Sequence, residues 1–132
     1  MAHAYYHAKS SARRFGGTWQ DYMPLHEWMD HTKAHIGDNR HRLLLHNTWG
    51  IFLLETVFGR LWYRASDGVS IPTRPILEQH VLEDLGFIPS LKECFASVPV
   101  EPWTFNRARP LSQEDFDDAP DETTIGAASE GM

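Results

Sequence analysis

The sequence predicts a mainly α-helical protein, a small bundle of four to five helices with one β-hairpin at about residues 60–73. Apolar side chains recur every three or four residues over much of residues 21–97, which is typical of amphipathic helices. Glycine and proline divide these stretches into segments of helical length. Between residues 60 and 73 the apolar spacing changes to every second residue around Asp67-Gly68, which indicates a hairpin turn.

The first two helices are predicted over residues 2–14 and from Pro24 to about Ile36. Alanine is frequent in the first segment and favours a helix, which Gly16-Gly17 then ends. Pro24 suits a first helical turn, where its missing N–H costs nothing. The second segment carries a stripe of apolar side chains at helical spacing, so one of its faces is expected in the core.

A third helix is predicted over about residues 39–58. Asp38 is a suitable N-cap, and Gly59 suits the position after the last turn. Apolar residues lie on nearly all sides of this segment, so we expect it at the centre of the bundle. Gly50, one turn after His46, predicts the close approach of a neighbouring group.

A fourth helix is expected from Thr73, as its cap, to Gly86, and a shorter fifth helix over about residues 91–97. Apolar residues at helical spacing support the fourth helix. Ser90 and Glu93 have the spacing of a capping box, which is typical of a helix start.

Acidic residues are concentrated at the C-terminal end of the chain. The net charge is −6, and residues 111–132 contain seven acidic and no basic side chains, whereas residues 1–110 contain twelve basic and eleven acidic ones. The sequence therefore predicts one helical domain over residues 1–105 and an acidic, disordered tail over residues 106–132. Because the helical part is nearly neutral, its charge does not favour a nucleic-acid partner.

Cysteine use and hydropathy exclude several classes of protein. The single cysteine, Cys94, cannot form an intrachain disulfide or a Cys-rich zinc site. The first residues lack the apolar stretch of a secretory signal, and no segment approaches the roughly 18 apolar residues of a membrane span. We therefore expect a cytoplasmic protein that does not contact a membrane.

Histidines set among large apolar side chains are the most unusual feature of the sequence. Imidazoles that project inward from several helices form metal sites in helical bundles, so a divalent metal is the expected cofactor. The candidate ligands are His7, His26, His41, His46 and His80. Nitrogen and carboxylate donors without a thiolate favour zinc, with iron, manganese or nickel as alternatives. His41 and His46 lie about 140° apart on an ideal helix, so a shared ion would require a distorted helix.

Carboxylates accompany two of these histidines at a spacing of four residues, in the pairs His26/Asp30 and His80/Asp84. Residues four apart share one face of a helix, so each pair can serve one site. Asp30 and Glu55 are the candidate catalytic residues, as general bases toward a water that the metal activates. The candidate substrate-binding residues are Lys33, Arg40 and Arg42, whose charges suit an anionic group of a small-molecule substrate.

None of the short catalytic signatures is present: the sequence has no H-E-x-x-H, no P-loop and no G-x-S-x-G. The predicted chemistry is analogous to that of helical histidine–aspartate phosphohydrolases, but their adjacent His-Asp pair is reversed here as Asp30-His31.

Five segments of the chain together resemble a family of short bacterial and phage-encoded proteins of unknown function. The segments are HAKSSARRFGG (7–17), DYMPLHEW (21–28), RHR (40–42), GIFLLETVFG (50–59) and EQHVLEDLG (78–86). The resemblance covers residues 7–105 and carries over the positions of His7, His26, Asp30, Arg40, His41, Arg42, His46, Glu55 and His80. It implies no particular activity.

Three functions fit these residues. The first is a metal-dependent hydrolase that acts on a phosphoester or nucleotide-like substrate. The second is a non-enzymatic binding or regulatory module, such as a phage accessory protein, in which the histidines are core residues and the chain forms a homodimer. The third is a non-haem iron enzyme with two histidines and one carboxylate as ligands, His26 and Asp30 among them.

Overall fold

Six α-helices and one two-stranded antiparallel hairpin follow one another along the residues that the structure, a computed structural model, describes, 3–107. The helices are α1 (Ala4–Phe15), α2 (Met23–Met29), α3 (Arg42–Leu45), α4 (Thr48–Phe58), α5 (Thr73–Leu85) and α6 (Leu91–Phe95). The hairpin consists of β1 (Leu61–Tyr63) and β2 (Ser70–Pro72). Short 3-10 helices cover Trp19–Asp21, His31–Ala34, Asn39–His41 and Pro102–Phe105. The predicted fold class, mainly α with one hairpin, is therefore confirmed.

The chain divides into two units, Met1–Val98 and Pro99–Met132. The first unit contains all six α-helices and the hairpin, and the described part of the second contains the 3-10 helix Pro102–Phe105. The disordered tail predicted for residues 106–132 lies, from residue 108 onward, outside the described residues. The predicted domain boundary near residue 105 stays a prediction. Within residues 3–107, no helix has the length and hydropathy needed to cross a membrane.

Helix α5 is the element around which the first unit packs, since it contacts α1, α2 and α4. Fully buried side chains of α5 and α2 form the middle of the core, among them Ile76, Leu77, Leu25 and Met29. The prediction that the segment 39–58 is the central helix is wrong, because α4 exposes large apolar side chains such as Phe52 on one side.

The second predicted helix ends earlier than expected. It stops at Met29, and the chain tightens into the 3-10 helix His31–Ala34 instead of continuing to Ile36. At the junction, the amide of Asp30 donates to the carbonyl of Glu27 three residues back. The Asp30 side chain at this junction is buried, and histidines from other elements contact it.

The third predicted helix is broken at His46 and Asn47, and the reason is the Asn47 side chain. Its Oδ1 accepts from the amide of Gly50 at 2.8 Å and so caps the start of α4. Its Nδ2 donates to the carbonyls of Leu43 at 2.8 Å and Leu44 at 3.1 Å, which satisfies the end of α3. A Cβ at Gly50 would lie 2.0 Å from the Leu45 carbonyl oxygen, so this tight corner requires glycine.

The hairpin pairs Trp62 with Ile71. Hydrogen bonds to Asp21 connect the hairpin to the 3-10 helix that precedes α2. Trp62 Nε1 donates to the Asp21 carbonyl at 2.7 Å. The buried Asp21 carboxylate accepts hydrogen bonds from the amide and hydroxyl groups of Thr18 and Ser66, at 2.7–3.1 Å. Burial alone raises the pKa of Asp21, but these hydrogen bonds outweigh it and lower the pKa to about 2.

Asp21→Asn should therefore lower the free energy of unfolding by about 2 kcal/mol at neutral pH, because the wild-type carboxylate is ionised in a site built to accept hydrogen bonds. The pKa of Asp21 is depressed, so its contribution is present above its ordinary pKa and is lost as the pH falls toward 2. Urea unfolding measures the difference. The control is Asp67→Asn in the hairpin turn, where the carboxylate is 43 % exposed and should matter much less. Equal stability of both variants would contradict this account.

Candidate metal centre

Two aspartates and two histidines from three parts of the chain meet inside the first unit. Asp30 follows α2, His46 lies at the break between α3 and α4, and His80 and Asp84 are four residues apart on α5. Each residue offers one oxygen or nitrogen atom to the centre, and these four atoms lie within 4.8 Å of one another. Their side chains are 0–8 % exposed. The four residues, called the centre below, form a buried group that could hold a metal ion.

The distances within the centre suit one small ion. Asp84 Oδ2 lies 2.9 Å from His46 Nε2 and 3.3 Å from His80 Nε2, and Asp30 Oδ1 lies 3.4 Å and 3.2 Å from the same two nitrogens. Donors held about 2.0–2.1 Å from a tetrahedral zinc ion are about 3.3 Å apart. The four oxygen–nitrogen distances in the centre, 2.9–3.4 Å, are close to that value.

Both aspartates of the centre are ionised. Burial alone raises the pKa of each, but hydrogen bonds with His46 and His80, and for Asp84 also with His7, hold the pKa of Asp30 and Asp84 well below the usual range. Two negative charges therefore lie side by side in the interior. Such charges require positive charge close by, because burying them without compensation is strongly unfavourable.

Unsatisfied polar atoms are concentrated at this place. Within residues 3–107, five buried side-chain nitrogen or oxygen atoms have no hydrogen-bond partner. Four of them belong to the centre or to residues that border it: Asp30 Oδ2, His41 Nε2, Arg42 Nε and His46 Nδ1. Buried polar atoms in folded proteins nearly always have a partner, so a cluster of exceptions indicates a ligand or water that belongs there.

Two further histidines border the centre. His7 Nε2 lies 3.1 Å from Asp84 Oδ1, and His7 Nδ1 lies 2.8 Å from Glu83 Oε1. His41 Nε2 lies 3.8 Å from Asp30 Oδ1, while its Nδ1 donates to the carbonyl of Asp38 at 2.8 Å. A carbonyl only accepts, so the proton of a neutral His41 is on Nδ1 and the lone pair of Nε2 is directed toward Asp30.

His26 lies behind the centre instead of in it. Its Nδ1 is 2.9 Å from Nδ1 of His80, and its Nε2 is 2.7 Å from the hydroxyl of Ser11. Burial, together with the neighbouring His80 and His7, lowers the pKa of His26 to about 2, so the ring is neutral. Both of its nitrogens are engaged, and neither faces the carboxylates.

Two cations lie beside the outer oxygens of the aspartates. Lys33 Nζ is 3.7 Å from Asp30 Oδ2, and an Arg42 terminal nitrogen is 3.7 Å from Asp84 Oδ1. Their side chains are 32 % and 18 % exposed, so they connect the buried centre to the surface.

The structure brings most of the sequence-predicted site residues together. Asp30, His46 and His80 belong to the centre, and the residues that border or support it are His7, His26, His41, Lys33 and Arg42. The structure places two predicted residues elsewhere. Glu55 forms an ion pair with Arg74 on the surface at 2.8 Å, and the exposed Arg40 pairs with Asp38 at 2.8 Å.

Four residues in or near the centre are not among the sequence-predicted site residues: Asp84, Glu83, Gln79 and Ser11. Asp84 is a member of the centre, although the sequence suggested it only as a partner of His80 at i+4. Glu83 contacts His7, which lies 76 residues earlier in the sequence, so no local spacing predicts this pair. Gln79 and Ser11, which contact each other at 2.7 Å, are missed for the same reason.

The fold and the centre define a small helical protein with a buried histidine–aspartate site. The chain belongs to the family described as Domain of unknown function (DUF6915), whose match covers residues 2–104. This confirms the resemblance to a family of unknown function. Comparisons with curated proteins and with solved structures found no match. The site must therefore be interpreted from its own geometry.

The metal-free protein should become less stable as the pH rises. Burial alone lowers the pKa of His7 and His46, but the neighbouring carboxylates outweigh burial and raise both pKa values. A histidine whose folded pKa exceeds its unfolded value stabilises the fold fully below about pH 6.5, and this contribution is lost as the pH rises through the folded pKa. In a chelator, the urea midpoint should fall between about pH 6 and about pH 9.

The variant His7→Gln should reduce this dependence on pH, whereas His35→Gln, at an exposed position, should leave it unchanged. Urea unfolding of all three chains at both pH values provides the comparison. If the urea midpoint of the wild type did not change between the two pH values, the raised pKa values assigned to His7 and His46 would be contradicted.

Proposed function

We propose that this protein is a metal-dependent hydrolase that acts on a phosphoester or nucleotide-like small molecule, with Asp30, His46, His80 and Asp84 holding one divalent ion. The observation that carries this proposal is a buried group of two carboxylate oxygens and two imidazole nitrogens, one from each of these residues, that lie within 4.8 Å of one another. A divalent cation would neutralise the two buried carboxylates and bind these four atoms.

The donors favour zinc. The centre offers two imidazole nitrogens and two carboxylate oxygens, a borderline set that zinc accepts in tetrahedral geometry and that iron, manganese or nickel also accept. Free Cys94 does not belong to the set, so a soft, thiolate-selected metal is disfavoured. Zinc comes first in this proposal, because the four oxygen–nitrogen distances of 2.9–3.4 Å are close to those between the ligands of a tetrahedral zinc ion.

The substrate should carry negative charge at its reacting group. Lys33 and Arg42 are the cationic side chains at the aspartates of the centre, and both reach toward solvent. The Arg42 side chain is 18 % exposed, so its guanidinium would be the group that meets an incoming anion. Arginine forms strong charge-assisted hydrogen bonds with phosphate oxygens, which favours a phosphoester over a neutral ester.

When bound, the metal would acidify a water molecule and polarise the ester. Lys33 and Arg42 would bind and orient the anionic group against the centre. His7 lies between Asp84 and the partly exposed Glu83, so it can hold a proton next to the reacting group and exchange it with solvent through Glu83. In this proposal Asp30 serves as a ligand, and Glu55 has no role in the reaction.

A second candidate is a non-enzymatic module in which the metal is structural. Two observations favour it. The centre supplies four protein donors, which closes a tetrahedral site, whereas catalytic zinc sites keep one position open. A cavity of about 470 Å³ is lined by residues such as Arg40, Leu43 and Phe95, and not by the centre. A non-haem iron enzyme is less favoured, because a fourth protein ligand occupies a position that its two-His, one-carboxylate site leaves open.

Substitution of ligands should remove the metal. Asp84→Asn and His46→Ala should each weaken zinc binding by more than about 100-fold, since the first removes the charge of a ligand oxygen and the second removes a ligand nitrogen. Competition against a chromophoric chelator measures the affinity. His31→Ala and His35→Ala, at exposed positions nearby in sequence, are the matched controls and should bind as the wild type does. Wild-type affinity in Asp84→Asn would refute the proposed ligand set.

Hydrolysis should depend on Arg42 but not on Arg40. With zinc or manganese bound, the protein should cleave nitrophenyl phosphate mono- or diesters or a nucleotide panel, and Arg42→Met should raise KM by about tenfold, the equivalent of one charge-assisted hydrogen bond. Arg40→Met removes an exposed arginine outside the centre and should leave KM unchanged. Zinc that raises the melting temperature without any turnover would replace the hydrolase by the structural candidate.

A further inference from the structure

A chain of buried hydrogen bonds extends from the rear of His80, away from the carboxylates. His80 Nδ1 lies 2.9 Å from His26 Nδ1, and His26 Nε2 lies 2.7 Å from the hydroxyl of Ser11. The Ser11 hydroxyl lies 2.7 Å from Oε1 of Gln79. All four side chains are 0–4 % exposed. Water has little access to this chain, so its donors and acceptors must match one another.

The far end of the chain has a fixed direction. Gln79 Nε2 lies 3.1 Å from the carbonyl oxygen of His7 and 2.9 Å from Glu83 Oε1. Both of these atoms are acceptors, so the amide group of Gln79 must present its NH₂ to them and its oxygen to Ser11. The oxygen only accepts, and therefore the Ser11 hydroxyl donates its single proton to Gln79.

This direction determines the protons of both histidines. Because the Ser11 proton is committed, the Ser11 oxygen accepts from His26, and His26 must carry its proton on Nε2. The neutral ring of His26 then offers a lone pair at Nδ1. That lone pair requires a donor, and the facing atom is His80 Nδ1, which must carry hydrogen. The other nitrogen of His80, Nε2, faces Asp30 and Asp84.

We propose that Gln79, Ser11 and His26 are positioning residues that fix the ring and tautomer of His80, so that its Nε2 is the atom that binds the metal. His26 is then a supporting residue and not a ligand. This inference rests on the metal centre proposed above and states how one of its ligands is prepared. Hydrogen bonds of this kind, from the second nitrogen of a ligating histidine, orient the ring and strengthen metal binding.

The opposite direction of the chain is unfavourable. If His26 donated through Nδ1, its Nε2 would need the Ser11 proton, and the oxygens of Ser11 and Gln79 would face each other at 2.7 Å without hydrogen between them. A buried acceptor without a donor costs about 1–3 kcal/mol. His80 would then carry its proton on Nε2, which blocks the metal. The chain therefore selects the metal-binding tautomer.

Two substitutions at His26 separate this role from simple packing. Asn retains an oxygen near the position of Nδ1 and can accept from His80, whereas Phe fills the space of the ring but accepts nothing. His26→Phe should weaken zinc binding by about 10–100-fold, and His26→Asn should retain most of the affinity. His31→Asn, at an exposed histidine, is the control for the substitution itself. Melting of each variant in a chelator shows whether it folds; equal affinity of folded His26→Phe and wild type would overturn the proposal.

A spectroscopic measurement on the wild type does not depend on whether the variants fold. In protein with ¹⁵N-labelled histidine, nitrogen shifts report which ring nitrogens carry hydrogen. We expect hydrogen on Nε2 and none on Nδ1 of His26, with or without metal. With ¹¹³Cd bound, His80 should show coupling through Nε2, and His26 should show none.

The possible outcomes separate the two proposals. Cadmium coupling to His26, or to Nδ1 of His80, overturns the positioning role while leaving the metal centre in place. Hydrogen on Nδ1 of His26 overturns the direction of the chain whether or not metal binds. A wild type that binds neither zinc nor cadmium removes the metal centre and with it the role proposed for the chain.

Discussion

The structure depends on the burial of two ionised carboxylates, Asp30 and Asp84, next to each other. An uncompensated pair of this kind would destabilise a chain of this size, since each buried charge without a partner costs several kcal/mol against a total stability of about 5–15 kcal/mol. The surrounding groups are arranged to compensate it. Four histidines contact the pair, and Lys33 and Arg42 contact its outer oxygens. A cation bound by the four donor atoms of the centre, as proposed above, would complete this compensation.

Both the regular turns of the helices and the breaks between helices bring these groups together. His80 and Asp84 use the four-residue spacing of α5, which the regular helix supplies. Asp30 lies where α2 has ended, and His46 lies at the corner between α3 and α4. That corner depends on Asn47, which caps one helix while it satisfies the end of the other, and on the missing side chain of Gly50. Without it, His41 and His46 would point about 140° apart on one continuous helix.

Local patterns in the sequence were sufficient to predict the fold class, the hairpin and α5. Apolar spacing, Asp67-Gly68 and Gly86 determine structure over only a few residues, so these elements can be predicted without tertiary contacts. Local patterns were also sufficient to select His46 and His80, since an imidazole in an apolar segment must find a partner. They were insufficient for the breaks after Met29 and at His46, where tertiary contacts and the Asn47 side chain override a helix-favouring pattern. Glu83, Ser11 and Gln79 could not be found from spacing, because their partners are 15 to 76 residues away in sequence. Glu55 was selected as a lone carboxylate in an apolar segment, and its partner Arg74 comes from another helix.

The most direct test of the central claim is elemental analysis of the full chain, purified without a metal-affinity step and dialysed against metal-free buffer. This account predicts about one equivalent of a divalent transition metal per chain, zinc before iron, manganese or nickel, retained through dialysis because the ligands are buried. Protein that contains no metal, takes up none when zinc is added, and melts at the same temperature with and without zinc would contradict it. The buried aspartates would then be balanced by protonated histidines, Lys33 and Arg42 alone.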